Sequence, residues 1–264
     1  MKRLISWVII SLSFHAVFAQ TEGMALVKGG EYTPLYGVEK DKKILVPSFY
    51  LDRTPVTHAE FLQFVEEHPQ WRKSQVLRLF ADERYLDLWT DDLHFPEELA
   101  HSPVNNISWF AAKAYCDCQG KRLPNVDEWE YAAMADEAKK DARSDSLYNV
   151  KVLRGYEVPK TYLKKVGQSP KNYWGIYDLH GLVWEWTMDF NSIILTGESR
   201  NNGNTDQGMF CASGALGAND LMNYAAFMRY AMRSSLKAKF SVSNLGFRCA
   251  TDVRVATSMP DLND

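Results

Sequence analysis

This chain of 264 residues reads as a mixed helix-and-strand protein with little regular structure, on three observations. Short apolar runs broken by glycine, as over residues 24–32, have the length and punctuation of strands. Three stretches each begin on a capping residue and then carry apolar side chains at helical spacing. Eight Trp, 13 Tyr and 13 Phe make up 13% of the chain, more than a helical bundle needs, and suit irregular loops packed around aromatic anchors.

The N-terminus bears on the compartment. Lys2 and Arg3 precede a mostly apolar run over 4–18, and small residues around Ala19 offer a cut before Gln20. That is the layout of a signal peptide, residues 1–19, for an exported, periplasmic or secreted protein. The run is shorter than the roughly 20 apolar residues of a membrane helix, and no later segment comes closer, so no membrane span is expected. No cysteine follows the run to accept a lipid. The 30 Lys and Arg are interspersed with 33 Asp and Glu, which argues against a nucleic-acid partner.

Residues 24–27 and 30–32 predict two short strands about a glycine turn, and 48–52 predicts a third. Thr57 caps a predicted helix with Phe61, Phe64 and Val65 on one face, ending near Pro69. Residues 70–100 show no period and read as a loop-rich insertion. Ser108 caps a second helix with Trp109, Ala112, Tyr115 and Cys116 on one face; the helix buries Cys116, points Cys118 elsewhere and closes at Gly120. Asn125 and Glu128 form a capping box for a third helix that packs Trp129, Ala132 and Ala133. Residues 137–170 are polar and Lys-rich and read as surface loop, and the last hundred residues as short strands and tight turns.

Six stretches in order, MALVKGGEY, FYLDRTPVT, PVNNISW, AYCDCQGKRLPNVDEWEYAA, NYWGIYDLHGLVWEWTMDF and SNLGFRCA, resemble the blocks of the formylglycine-generating enzyme, or sulfatase-modifying factor, superfamily. The resemblance runs over residues 24–251, with 252–264 as a C-terminal tail. It implies a single irregular α+β domain similar in topology to C-type-lectin folds. It also implies a disulfide between Cys116 and Cys249, reasonable for an exported chain. Such a bridge is worth about 4 to 5 kcal/mol in the chain-entropy model.

Formylglycine-generating members bind copper through two cysteines, and the positions here that match them are Asp220 and Ala225. Neither is a thiol, and no cysteine lies between Cys211 and Cys249, so soft-metal oxygen chemistry by that mechanism has no ligands. A second disulfide of some relatives would need cysteines at Ala133 and Tyr230, and both are absent. An iron site is not supported either: His58, His68, His94, His101 and His180 lack the spacing of the iron-dependent sulfoxide synthases that share the fold. They read as surface or supporting residues. Cys118 and Cys211 have no inherited partner; they are open to pairing, to remaining buried thiols, or to a soft metal.

The stretch from Asp178 to Glu185 resembles the family's structural calcium loop. The side chains of Asp178 and Glu185 and the carbonyls of Gly181 and Val183 would be the ligands; the alternative is that the two acids only cap turns. The loop 224–233 reads as a pocket wall near Trp184, with Arg229, Tyr230 and Arg233 as candidate residues for an anionic or peptide ligand. Equally open is pairing of the two arginines with acids such as Asp189 or Glu185. The expected function is a non-catalytic binding or assembly module for a peptide or protein partner. The alternative is an oxidoreductase of changed chemistry acting on a peptide or metalloenzyme.

Overall fold

The computed structural model describes residues 21–35, 42–191 and 224–253. Residues 1–19, Cys211, Asp220 and the tail from 254 lie outside them. Strands β1 (Met24–Val27), β2 (Gly30–Tyr32), β3 (Ile44–Val46) and β4 (Phe49–Asp52) open the described chain. The glycine turn after β1 does not make a hairpin. Instead β1 runs antiparallel to β4, with Ala25 opposite Leu51 and Val27 opposite Phe49, while β2 pairs with β3, which has no counterpart among the predicted strands. All four of those β1 and β4 residues are buried, as a strand with one core-facing side requires. The switch between sheets needs Gly29: a Cβ there would sit 2.4 Å from the Val46 carbonyl oxygen.

Strand β4 also pairs with the last strand, β7 (Ala250–Asp252), giving a three-stranded sheet in the order β1-β4-β7. The two ends of the described chain therefore flank one strand. A third pairing is parallel and two residues long, between β5 (Trp184–Glu185) and β6 (Leu245–Gly246).

The three helices expected from their caps are present. In α1 (His58–Glu67) the Thr57 hydroxyl accepts the Glu60 amide while Glu60 accepts the Thr57 amide at 2.7 Å, and Phe61, Phe64 and Val65 are buried. In α2 (Trp109–Cys118) Ser108 accepts the Ala111 amide, and the chain leaves the helix through Gly120 at φ 65°. In α3 (Val126–Ala133) the Asn125 and Glu128 capping box closes with bonds of 2.7 and 2.9 Å.

Three readings are corrected. Residues 137–170 are not all loop: α4 (Ser146–Glu157) lies among them, capped by Asp145, and Val152 is its one buried residue. With no apolar stripe to bury, it leaves no period in the sequence. The wall at 224–233 is not a loop but α5 (Tyr224–Ser234), which buries Ala225, Ala226, Arg229, Tyr230 and Arg233. Residues 70–100 are irregular, with short 3-10 turns at Pro69–Trp71 and Glu97–Leu99, yet they are no peripheral insertion. They send Ala81, Tyr85, Leu86 and Trp89 into the main core.

That core is aromatic. The Phe61 ring lies 5.9 Å from Tyr115, 6.2 Å from Phe247 and 6.4 Å from Trp89, and each such contact contributes about 0.5–1.5 kcal/mol beyond the area it buries. Cys116 and Cys249 form a disulfide inside it, with Cα atoms 5.6 Å apart across 133 residues of sequence. A second cluster fills the space between the three-stranded sheet and α3, around Val27, Phe49, Leu51, Trp129 and Ile176.

Candidate functional site

Helix α3 is buried nearly all round, and two of its buried residues are acids: Glu128, which closes the cap and pairs with Arg122, and Glu130. Glu130 is 5% exposed, a position at which an unpaired carboxylate would cost several kcal/mol. Its partners come from α5, about a hundred residues later in the chain. Arg229 donates Nε to Oε1 at 2.9 Å and Nη2 to Oε2 at 2.6 Å, a bidentate clamp, and Arg233 donates Nη1 to Oε1 at 2.6 Å. The spacing of four residues puts both guanidiniums on one face of α5. Burial alone would raise the Glu130 carboxyl, but the two arginines overcome it and hold the group at about 2.

Polar contacts continue outward from this triad. Arg229 Nη1 donates to the Tyr156 hydroxyl at 3.1 Å, and that hydroxyl contacts His180 Nδ1 at 3.1 Å. His180 Nε2 lies 2.8 Å from the Ala133 carbonyl oxygen; this assigns the proton to Nε2 and makes Nδ1 the acceptor for Tyr156. Burial, with Arg229 beside it, lowers the imidazole to about 3, so it is neutral at pH 7. Helix α4 brings Tyr156 close enough because Gly155 and Gly181 touch backbone to backbone. A Cβ on Gly181 would lie 3.0 Å from the Gly155 Cα.

A second buried ion pair meets Trp129 at its indole nitrogen. Arg248 donates Nη2 to Glu185 Oε1 at 2.7 Å and Nε to Oε2 at 2.8 Å, and Trp129 Nε1 donates to the same Oε2 at 2.8 Å. Arg248 also donates to the carbonyls of Asp52 and Tyr177. The Trp129 face meets the Arg229 and Arg233 guanidiniums at 5.4 and 4.9 Å, cation–π contacts of the favourable kind. Between these groups lies a crevice bounded by Trp129, Tyr156, Trp184, Arg233 and Leu245, with about the room that one water needs.

The site residues expected from sequence fall as follows. Trp184 lies tilted against Tyr156, ring centroids 4.7 Å apart. Arg229 and Arg233 pair with an acid, but that acid is Glu130, not Asp189 or Glu185. Asp189 instead accepts the Val126 amide. Tyr230 is buried beside Leu35, Val126 and Ala226. Ala225, which the resemblance matches to one of the copper thiols, is buried in the first turn of α5.

Asp178 adopts φ 58° and accepts the amides of Gly167 and Ser169. The Glu185 carboxylate is taken by Arg248 and Trp129, so a calcium ion on it would have to displace a guanidinium at 2.7 Å. These two carboxylates, as placed, do not fit the calcium site that the resemblance implied. Among the described residues no three His, Cys, Asp or Glu side chains are grouped to hold a metal ion. Cys118 is an exposed free thiol, not a buried one.

Sequence reasoning missed Glu130, Tyr156 and Arg248. Glu130 had a signal: it is an acid set between Trp129 and Tyr131 in a helix whose first-turn Glu128 already serves the cap. Tyr156 and Arg248 had none, because their partners are distant in sequence.

The Sulfatase-modifying factor enzyme 1-like domain matches residues 12–253. The chain is similar to serine/threonine-protein kinase pkn1 of Chlamydia pneumoniae, 29% identical over 184 residues, covering 63% of this chain but only 28% of the kinase. It is 29% identical over 283 residues to formylglycine-generating enzyme of Streptomyces coelicolor, covering 88% of this chain and 90% of that one. It is 28% identical over 254 residues to inactive C-alpha-formylglycine-generating enzyme 2 of Bos taurus, covering 80% and 79%.

Proposed function

The chain belongs to the sulfatase-modifying factor enzyme 1-like family, and from that premise we propose that it is an exported, non-catalytic member, a binding or assembly module for a peptide or protein partner. One observation carries this reading: no cysteine lies between Cys211 and Cys249, the segment in which the resemblance matches Asp220 and Ala225 to the thiols of the copper-binding members. A carboxylate and a methyl cannot replace a pair of soft sulfur ligands for Cu(I). Two further facts support it. Cys116 and Cys249 are used up in the disulfide, and the two arginines on α5 are turned inward onto Glu130, which suits a scaffold kept for its shape. Similarity to a formylglycine-generating enzyme homologue described as inactive is consistent with such use of the fold. For export, the support is the N-terminal charge and apolar pattern. No helix among the described residues is long and apolar enough to cross a membrane.

The test is metal analysis of the purified protein, followed by oxygen uptake with thiol-containing peptides. The expected result is no stoichiometric copper or iron and no uptake above the buffer rate. Stoichiometric transition metal together with turnover would replace this reading with an oxidoreductase of changed chemistry.

A further inference from the structure

Cys118 ends α2, exposed and outside any disulfide. Fifty residues earlier in sequence, His68 caps the C-terminus of α1, and its Nε2 lies 2.9 Å from the Cys118 sulfur. Phe64 holds His68 through both backbone and ring. The His68 amide donates to the Phe64 carbonyl at 2.9 Å, and its ring packs 4.9 Å from the Phe64 ring. This is a nucleophile and a base brought into contact by the packing of two helix ends. The neighbouring disulfide takes no part: Cys116 is fully buried, and two residues on along a helix the side chain points to another face.

We propose that Cys118 and His68 form a thiol–imidazole pair that exchanges with disulfides reaching it from solution. In the step, His68 Nε2 takes the Cys118 proton and the thiolate attacks one sulfur of the incoming disulfide. The S–S bond of the incoming molecule breaks as a new bond to Cys118 forms. The departing thiolate takes the proton from the imidazolium and leaves as a thiol. Cys118 is thereby oxidised and half of the incoming disulfide reduced, with no other oxidant involved. His68 is a base in contact with the reacting sulfur. Of the other charged groups at these helix ends, Arg72 donates to the Val65 and Glu66 carbonyls, Lys113 and Asp117 pair with each other, and Glu66 and Glu67 are exposed.

The experiment uses the full chain with glutathione disulfide as probe. Adduct formation at Cys118 is followed by intact mass and peptide mapping, so that Cys211 is scored separately. The expected result is one adduct on Cys118, absent in Cys118→Ser. In His68→Phe its rate falls about tenfold at pH 7, since a free thiol is only a few per cent thiolate there, and its pH dependence becomes that of an unassisted thiol. An unchanged rate and pH dependence in His68→Phe would overturn the proposal. Should that variant not fold, the same rate is compared in native and urea-unfolded wild type. The native rate is expected to be higher, and a native rate equal to or below the unfolded one would overturn it.

Discussion

Glu130 is the residue on which the site depends. Two guanidiniums converge on it, both about 95% buried, and removing the shared acid leaves them without compensation. Glu130→Gln should lower unfolding stability by about 3–5 kcal/mol, read by urea titration; a loss below about 1 kcal/mol would show that the arginines find other partners. The same residues set the acid response. Glu130 is held at about 2, below its ordinary 4.5, so its contribution is present above 4.5 and is lost as pH falls towards 2. His180, at about 3, and His58, lowered to about 4 by burial, stay neutral in the fold while the unfolded chain takes up protons below 6.5. The fold therefore loses stability from pH 6.5 downward, and Glu130→Gln should remove only the share that Glu130 adds between about 4.5 and 2, leaving the share of the two histidines.

At the scale of elements, the contact of α4 with the loop before β5 rests on two glycines with different demands. Gly181 has φ 81° and no space for a Cβ, whereas a Cβ on Gly155 would meet the Gly181 Cα at 3.4 Å, in a helix. Gly181→Ala should cost about 1–3 kcal/mol. Gly155→Ala should be close to neutral, because the gain in helix propensity of roughly 1 kcal/mol offsets a tight contact. Equal losses in thermal melts of both variants would contradict this account. The elements also differ in how legible they were. Helices α1, α2 and α3 announce themselves through local chemistry, Thr57 with Glu60, Ser108, and Asn125 with Glu128. Helix α4 has the cap Asp145 but one buried residue, and α5 buries arginines, which a hydrophobic pattern cannot register.

Across the whole molecule, β4 is gripped by the first and last described strands, and the Cys116–Cys249 bridge ties α2 to the same closing segment. Replacing both cysteines by serine should cost about 2–5 kcal/mol, measured by calorimetry under non-reducing conditions; an unchanged melting temperature would show that the strand pairing suffices. The sequence by itself determined the helix caps, the aromatic composition of the core, the absence of a thiol pair before the closing block and, through the resemblance, the disulfide. These depend on neighbours a few residues away or on residue identity alone. Only the tertiary structure decided that Arg229 and Arg233 face Glu130, that Glu185 is claimed by Arg248, and that Cys118 meets His68. Each of those contacts joins segments 50 or more residues apart, and a buried charge takes whichever partner the packing brings within hydrogen-bond reach.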